Sequence, residues 1–375
     1  MKDDVVKKYT AYERWVDEQV EISRRGRADK HALMAADLFR FFRGSYALWA
    51  WRVQQLHKPA PGPVIDMVGD LHIENFGTWR DVEDRTVWGV NDLDEADRGP
   101  AAQDLARLAV SVQLADGRLS GHDVVDLLLH GYLEALRQNR PPTVVERPDP
   151  PKVASMLPAV DPASFWRRLL ACDPVKSPDK AVVNLVDRLM PPGTTDRQYL
   201  QRIAGMGSRD RLRVVAVADF GGAPVTREVK AVPAPATRWV TGAAPVPWSK
   251  AADRLLAAAG PTRCPEYGFT DGWAFRRLVP WHLRIEIQDQ HRAGAEELLH
   301  AAGSETAVMH RRGAGGDAAS LRELGEPAAR RWLREAVDEL RDVTERDWTS
   351  WRHHYHGSAQ APSDPPVPSA AAVKV

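Results

Sequence analysis

Asp70, Asn75, Asp92 and Asp94 are the residues whose types and spacing point to chemistry. In Gly69-Asp70-Leu71-His72-Ile73-Glu74-Asn75 an Asp is followed five positions later by an Asn, and Val90-Asn91-Asp92-Leu93-Asp94 adds two carboxylates after a further apolar segment. Phosphoryl transfer needs such a set: one carboxylate to receive the nucleophile's proton, and an amide and a carboxylate to hold Mg²⁺. The plain alternative for Asp70 and Asn75 is a turn capped by its own Asx side chains. Paired carboxylates at a strand end are costly without a cation, which favours a metal at Asp92 and Asp94 over an acidic turn. Asp104, at the start of a helical run, reads as structural, with its carboxylate available to backbone N–H groups of the Asp70 loop. His72 is assigned a hydrogen bond that steadies the loop. Arg43 and His310 are read as supporting residues.

A second constellation lies later in the chain. Gly205-Met206-Gly207-Ser208 precedes a Val-rich strand, a turn at Phe220-Gly221-Gly222, and a returning strand that carries Lys230. A lone strand Lys is usually a surface residue, and two glycines mark many turns. Together, a Gly loop, a hairpin and a strand Lys describe a phosphate clamp.

The elements that must position these groups follow from periodicity. Residues 4–26 read as a polar helix and 31–57 as a more buried one, ended by Pro59, Pro61 and Pro63. Strands are expected at 64–68 and 87–90, the second pairing back across a turn at 81–84. Helices are expected over 101–115, 121–138 and 163–190, with a loop at 139–152. The hairpin 212–232 is followed by a helix at 248–259 and a strand pair within 267–279. Residues 284–311 and 318–355 return to helix. The Pro-, Ala- and Ser-rich stretch 357–375 reads as a disordered tail.

Composition narrows the partners. Of 375 residues, 43% are hydrophobic and 27% charged, as in a soluble globular protein with a real core. With 51 basic and 51 acidic residues the formal charge is zero, so no nucleic-acid partner is implied. The two cysteines, Cys172 and Cys264, exclude a disulfide framework or a Cys-based metal site. No apolar run reaches membrane-span length and the charged N-terminus lacks a signal-peptide core. A cytoplasmic location with no membrane partner is the resulting expectation.

Gly-Asp-Leu-His-x-x-Asn at 69–75 resembles the catalytic loop of aminoglycoside phosphotransferases and other kinase-like small-molecule kinases. Those enzymes carry a strand ending in a metal-binding Asp, with Asp-Leu-Ala twelve residues later, here Asp104-Leu105-Ala106. That interval favours Asp92 over Asp94 as the counterpart. More closely, the chain resembles an uncharacterised bacterial family, domain of unknown function 2252. The similar segments are Phe39–Gly44, Gly69–His72, Asn75–Gly77, Asn91–Glu95, Gly99-Pro100, Asp104-Leu105, Gly205–Ser208 and Val229–Ala231. Two departures stand out: Val68 occupies the position two before Asp70 where kinases usually have His, and no Glu pairs visibly with Lys230. Asp253 is the one candidate that the 248–259 helix offers.

The resemblance implies a bilobal, protein-kinase-like α+β fold. Because the Gly loop and Lys230 follow the catalytic and metal motifs instead of preceding them, it further implies circular permutation. Residues 1–200 would form the first part of a helix-rich large lobe, 201–280 a small antiparallel β lobe, and 281–356 helices returning to the large lobe. The implied function is ATP-dependent phosphotransfer to a hydroxyl of a small molecule. Asp70 would be catalytic; Asn75, Asp92 and Asp94 would hold Mg²⁺; Lys230, Gly205, Gly207 and Ser208 would bind the ATP phosphates. A nucleotide-binding pseudokinase is the alternative. A metallophosphoesterase, in which Gly-Asp-x-His also occurs, is remote, because its later Gly-Asn-His segment is missing.

Overall fold

Val5, Tyr9, Tyr12 and Val16 recur on one face of the first helix, α1 (Val5–Asp17), and are buried. In this computed structural model, which describes residues 4–245, 250–270 and 272–356, the helices expected over 4–26 and 31–57 are instead four shorter ones. They are α1, α2 (Arg24–Ala36), α3 (Leu38–Gly44) and α4 (Tyr46–Val53). The breaks fall at short polar residues. Ser23 and Asp37 leave the helical region and accept the N–H groups of Gly26 and Arg40 as N-caps, and the Ser45 hydroxyl donates to Phe41 O. Such residues compete with helix continuation.

Next come β1 (Val64–Met67), a single 3₁₀ turn at Ile73–Asn75, β2 (Phe76–Arg80), β3 (Thr86–Val90) and β4 (Asp97–Pro100). The hairpin is β2–β3. Its turn is tied by the Asp81 carboxylate, which accepts the Glu83 and Arg85 N–H groups. The strand at 64 pairs with β4, antiparallel, instead of with the strand at 87. This pairing has a geometric consequence. Met67 sits opposite Asp97 and Phe76 opposite Val90, so the loops 68–75 and 91–96 both bridge the same two strand ends and lie side by side. The chain then enters α5 (Ala101–Ala115) and α6 (Gly121–Arg137), followed by β5 (Thr143–Val144) on the edge of β3. α5 is buried almost all round, from Ala101 through Val112, and is the central element of the main core.

A second body forms from α7 (Pro162–Leu170), β6 (Asp173–Pro174), α8 (Lys180–Leu189), β7 (Thr195–Gln201), β8 (Arg213–Phe220) and β9 (Ala223–Ala231). After α9 (Ala236–Thr241) and α10 (Lys250–Ala257), β10 (Tyr267–Thr270) and β11 (Trp273–Arg276) complete a six-stranded antiparallel sheet of order β10-β11-β9-β8-β7-β6. The alternation of strand side chains assigns its faces. Val214, Ala216, Ala218 and Val229 pack on Val182, Leu185 and Val186 of α8, while Val215 and Val217 meet Leu169 of α7 and Leu278. The sheet unit thus begins near residue 162, not at 201. The span 163–190 is two helices around a short strand, because each helix covers a different sheet face.

α11 (Arg292–Gly313) starts later than residue 284: His291 caps it by accepting the Gly294 N–H, and residues 284–290 bury Ile285 and Ile287 in a connection whose only regular element is a 3₁₀ turn at Ile287–Asp289. α12 (Ala318–Leu321) and the long α13 (Pro327–His356) close the fold. Trp351 of α13 meets Tyr9 of α1 edge-to-face, with centroids 5.2 Å apart, so the two ends of the described chain are neighbours. The architecture is mixed α+β, about 52% helix with antiparallel sheets, which excludes a doubly wound parallel design. No described helix is long and apolar enough to cross a membrane. The stretch 357–375, read above as a tail, lies outside the described residues.

Candidate functional site

The loop after β1 is suspended from α5. Asp104, fully buried in the first turn of α5, accepts the Val68 N–H (2.7 Å) and the Gly69 N–H (2.9 Å), one on each carboxylate oxygen. Behind it stand His310 of α11, with Nε2 3.1 Å from Asp104 Oδ2, and Tyr132 of α6, whose hydroxyl lies 3.0 Å from His310 Nδ1. Farther along, Ser111 Oγ accepts the Ile73 N–H and Asn75 Oδ1 accepts the His72 N–H. His72 itself is buried, with Nδ1 lacking a hydrogen-bond partner. At Gly69 the backbone is left-handed (φ +86°), and a Cβ there would sit 2.2 Å from the Glu95 carbonyl oxygen. The two loops therefore touch through backbone, and only glycine fits.

These constraints aim Asp70 into a cleft of about 970 Å³. Its Oδ1 accepts Nε of Arg107 at 2.7 Å and is 2.5 Å from Nη2. The Arg107 guanidinium is fully buried, lies 3.8 Å from the Phe42 ring centroid, and donates to Phe42 O. Burial raises the Asp70 carboxyl to about 6; Arg107 opposes the rise and Asp92 adds to it. Asp92 and Asp94 occupy the adjacent loop, where Asp92 Oδ1 accepts the Asp94 N–H at 3.3 Å. For Asp92, burial is outweighed by Lys230 and Arg276, which hold it below the usual carboxylate range. For Asp94, burial and the Asp92 charge push it up. Asp94 ion-pairs with Lys230, yet its Oδ1 is buried without a hydrogen-bond partner. The carboxylate at Lys230 thus comes from the Asp94 loop and not from the helix that carries Asp253.

The opposite wall is the sheet. Since Val229 faces α8, Glu228 and Lys230 face the cleft, with Arg213 paired opposite Lys230 and Arg276 opposite Glu228. Glu228 accepts from Arg213 (2.9 Å), Arg276 (2.8 Å) and Arg202 (2.7 Å). Burial alone would raise its carboxyl, but the three guanidinium groups hold it well below the usual range. Gly205 (φ +76°), Gly207 and Ser208 form the cleft rim. Ser208 Oγ accepts from Arg213, and Lys30 donates to Gly207 O at 2.7 Å. Arg43, also on the rim, pairs with Glu74 at 2.6 Å, and Arg284 pairs with the same oxygen. The segment 278–283 joins sheet to loops: Leu278 N–H donates to Thr226, and Leu283 N–H to Thr78 of β2.

Asp70, His72, Asn75, Asp92, Asp94, Gly205, Gly207, Ser208, Lys230 and Arg43 therefore line one cleft. Asp104 and His310 lie behind it, in the support of the Asp70 loop. No group of three or more His, Cys, Asp or Glu ligands gathers around His72 among the described residues. Sequence reasoning missed Arg107, Tyr132, the Glu228 hub and Glu95. Glu95 accepts the Ala236 N–H at 2.7 Å, and burial pushes its carboxyl to about 7. Arg107 left a signal, since it lies one helical turn beyond Asp104 and so on the same side of α5.

Residues 27–143 match the model of a family described as an uncharacterized protein conserved in bacteria (DUF2252). That match takes in both loops and α5 but ends before the sheet that carries Lys230. No curated protein and no solved structure gives a significant match to the chain.

Proposed function

We propose that this protein is an ATP-dependent phosphotransferase acting on a hydroxyl group of a small molecule, built as a circularly permuted kinase-like fold. One observation carries the reading: Asp70, Asn75, the Asp92–Asp94 pair, Lys230 and the 205–208 loop, from segments far apart in the chain, face one cleft. Read from residue 205, the order becomes Gly loop, Lys230, the 278–283 connection, α11, Asp70 and Asp92. The adjacency of α1 and α13 supports that cyclic reading, since neighbouring termini are what a permutation requires.

Asp92, Asp94 and Asn75 suit Mg²⁺. The buried Asp94 Oδ1 lacks a partner, and oxygen donors are what this ion takes. When bound, Mg²⁺ neutralises the charge that spreads over the phosphoryl oxygens. The chain's own residues do the rest. Asp70, with a carboxyl near 6, is ionised at neutral pH and oriented by Arg107 through Oδ1, and it accepts the acceptor hydroxyl's proton. Lys230 turns its ammonium to the α/β-phosphates, and the 205–208 backbone closes over them.

The test is nucleotide binding by calorimetry with Mg·ATP. Wild type is expected to bind, and Asp92→Ala and Lys230→Met to lose binding by at least tenfold. Unchanged affinity in both variants sinks the proposal. A second reading, a nucleotide-binding pseudokinase, draws on the grip of Arg107 on Asp70 and of Lys230 on Asp94. It predicts ATP binding in wild type with no ADP formed in the presence of any acceptor tried, and no effect of Asp70→Asn.

A further inference from the structure

On the side of the molecule formed by α6 and α11, three potential ligands stand together. His130 and Glu134 lie one turn apart on α6, and His300 faces them from α11. One ligand atom of each lies within 4.8 Å of the other two. The helices are locked at this point by close backbone contact. A Cβ at Gly131 would sit 1.9 Å from His300 O, and one at Gly303 would sit 2.1 Å from Leu128 O. That approach leaves the side chains little freedom to separate. His300 Nε2 is 2.8 Å from Glu134 Oε2, the two imidazole centroids are 5.1 Å apart, and Gln138 Nε2 donates to Glu134 Oε1 at 2.9 Å. His130 is exposed and the other two are partly so, so an ion reaches them directly from solvent.

We propose that His130, Glu134 and His300 form a binding site for a first-row divalent transition metal of the Zn²⁺ class, clamping α6 to α11. Two imidazoles and one carboxylate are the donor set that such ions take, with remaining positions left to water. Mg²⁺, which demands oxygen ligands, does not compete here, so this site is chemically distinct from the nucleotide cleft. Gln138 orients the carboxylate as an outer partner. The clamp also bears on the support of the Asp70 loop, because α6 and α11 supply Tyr132 and His310.

The experiment is Zn²⁺ titration of untagged, chelator-treated protein by calorimetry, with thermal unfolding in parallel and millimolar Mg²⁺ throughout. The expected result is one equivalent bound with a raised unfolding temperature. His130→Ala and His300→Ala should lose the affinity by 100-fold or more while keeping the apo unfolding temperature, and Gln138→Ala should lose roughly tenfold. Glu134→Gln should behave like the histidine variants, a check that involves no change of size. Substoichiometric binding by wild type overturns the proposal. So does one equivalent retained in His130→Ala and His300→Ala, or lost only when His353 and His354, an exposed pair near the end of α13, are both replaced by Ala. Since no step involves ATP, these outcomes are independent of whether the cleft transfers phosphate.

Discussion

On one side of the cleft Asp104 is fully buried and spends its two oxygens on two backbone N–H groups and one imidazole; on the other, Glu228 is almost as deeply buried and faces three guanidinium groups. Both carboxylates are load points of the site, but they are satisfied by different chemistry. Two of the three Asp104 partners are main-chain donors fixed in direction, and the third is an imidazole held from behind by Tyr132. The Glu228 ligands are charged, long and redundant. The Asp70 side is thus brittle and geometrically exact, as the proposed role of Asp70 as a proton acceptor would require, whereas the sheet wall is a cationic surface whose net charge matters more than any one atom.

The largest break in that comparison is Asp104→Ala. It strands the Val68 and Gly69 N–H groups and removes the Nε2 partner of His310 in a fully buried site. Such orphaning costs about 3–5 kcal/mol. Denaturant unfolding should show a loss of that size; a loss below about 1 kcal/mol would mean that the loop is held by something other than Asp104.

The two sides also respond to pH with opposite sign. Glu228 has a depressed pKa in the fold, so its stabilisation is complete above the unfolded value of 4.5 and is lost as the pH falls toward the folded value. Asp70 and Glu95, raised by burial to about 6 and about 7, act the other way. Below their unfolded values they are protonated in both states. As the pH rises, the unfolded chain ionises first, and stability falls until the folded carboxyls ionise too. Glu95→Gln keeps an acceptor for the Ala236 N–H and removes the proton. It should flatten the decline between about pH 4.5 and 7, on the order of 1–3 kcal/mol, leaving the acid limb untouched. Unfolding free energies at pH 5 and 7.5 in both proteins decide this, and an undiminished decline in the variant assigns it elsewhere.

How much of this was legible in the sequence follows the same division. Local rules exposed the hairpin around Gly221-Gly222 and the helices at 101–115 and 121–138, the second of which ends one residue earlier, at Arg137, and they picked out the cleft residues from loop and strand-end chemistry. They failed where a short polar residue ended a helix, at Ser23, Asp37 and Ser45, because capping and continuation differ by only about 1 kcal/mol. They failed again where a partner lies far along the chain. Nothing local says that Val64–Met67 pairs with Asp97–Pro100, that Lys230 meets Asp94, or that Arg107 crosses to Asp70. Those partners were fixed by tertiary packing, and the sheet boundary was misplaced because α7 and α8 are amphipathic helices with no local sign of which body they cover.

The smallest effect sharpens the contrast. Arg202 and Arg276 are the two outer guanidinium groups on Glu228, with 31% and 32% of their side chains exposed, against 3% for Arg213. Arg202→Ala leaves Glu228 two partners and removes an ion pair that water and salt already screen. The expected cost is about 0–1 kcal/mol, smaller still in 0.5 M salt, with no change in the secondary-structure spectrum. A loss comparable to that of Asp104→Ala would show that the guanidinium groups act as one indivisible unit, and the sheet wall would then be as brittle as the Asp70 side. A loss within the expected range means that the wall tolerates removal of a single charge, as the proposed phosphate-binding surface, acting by summed field, should.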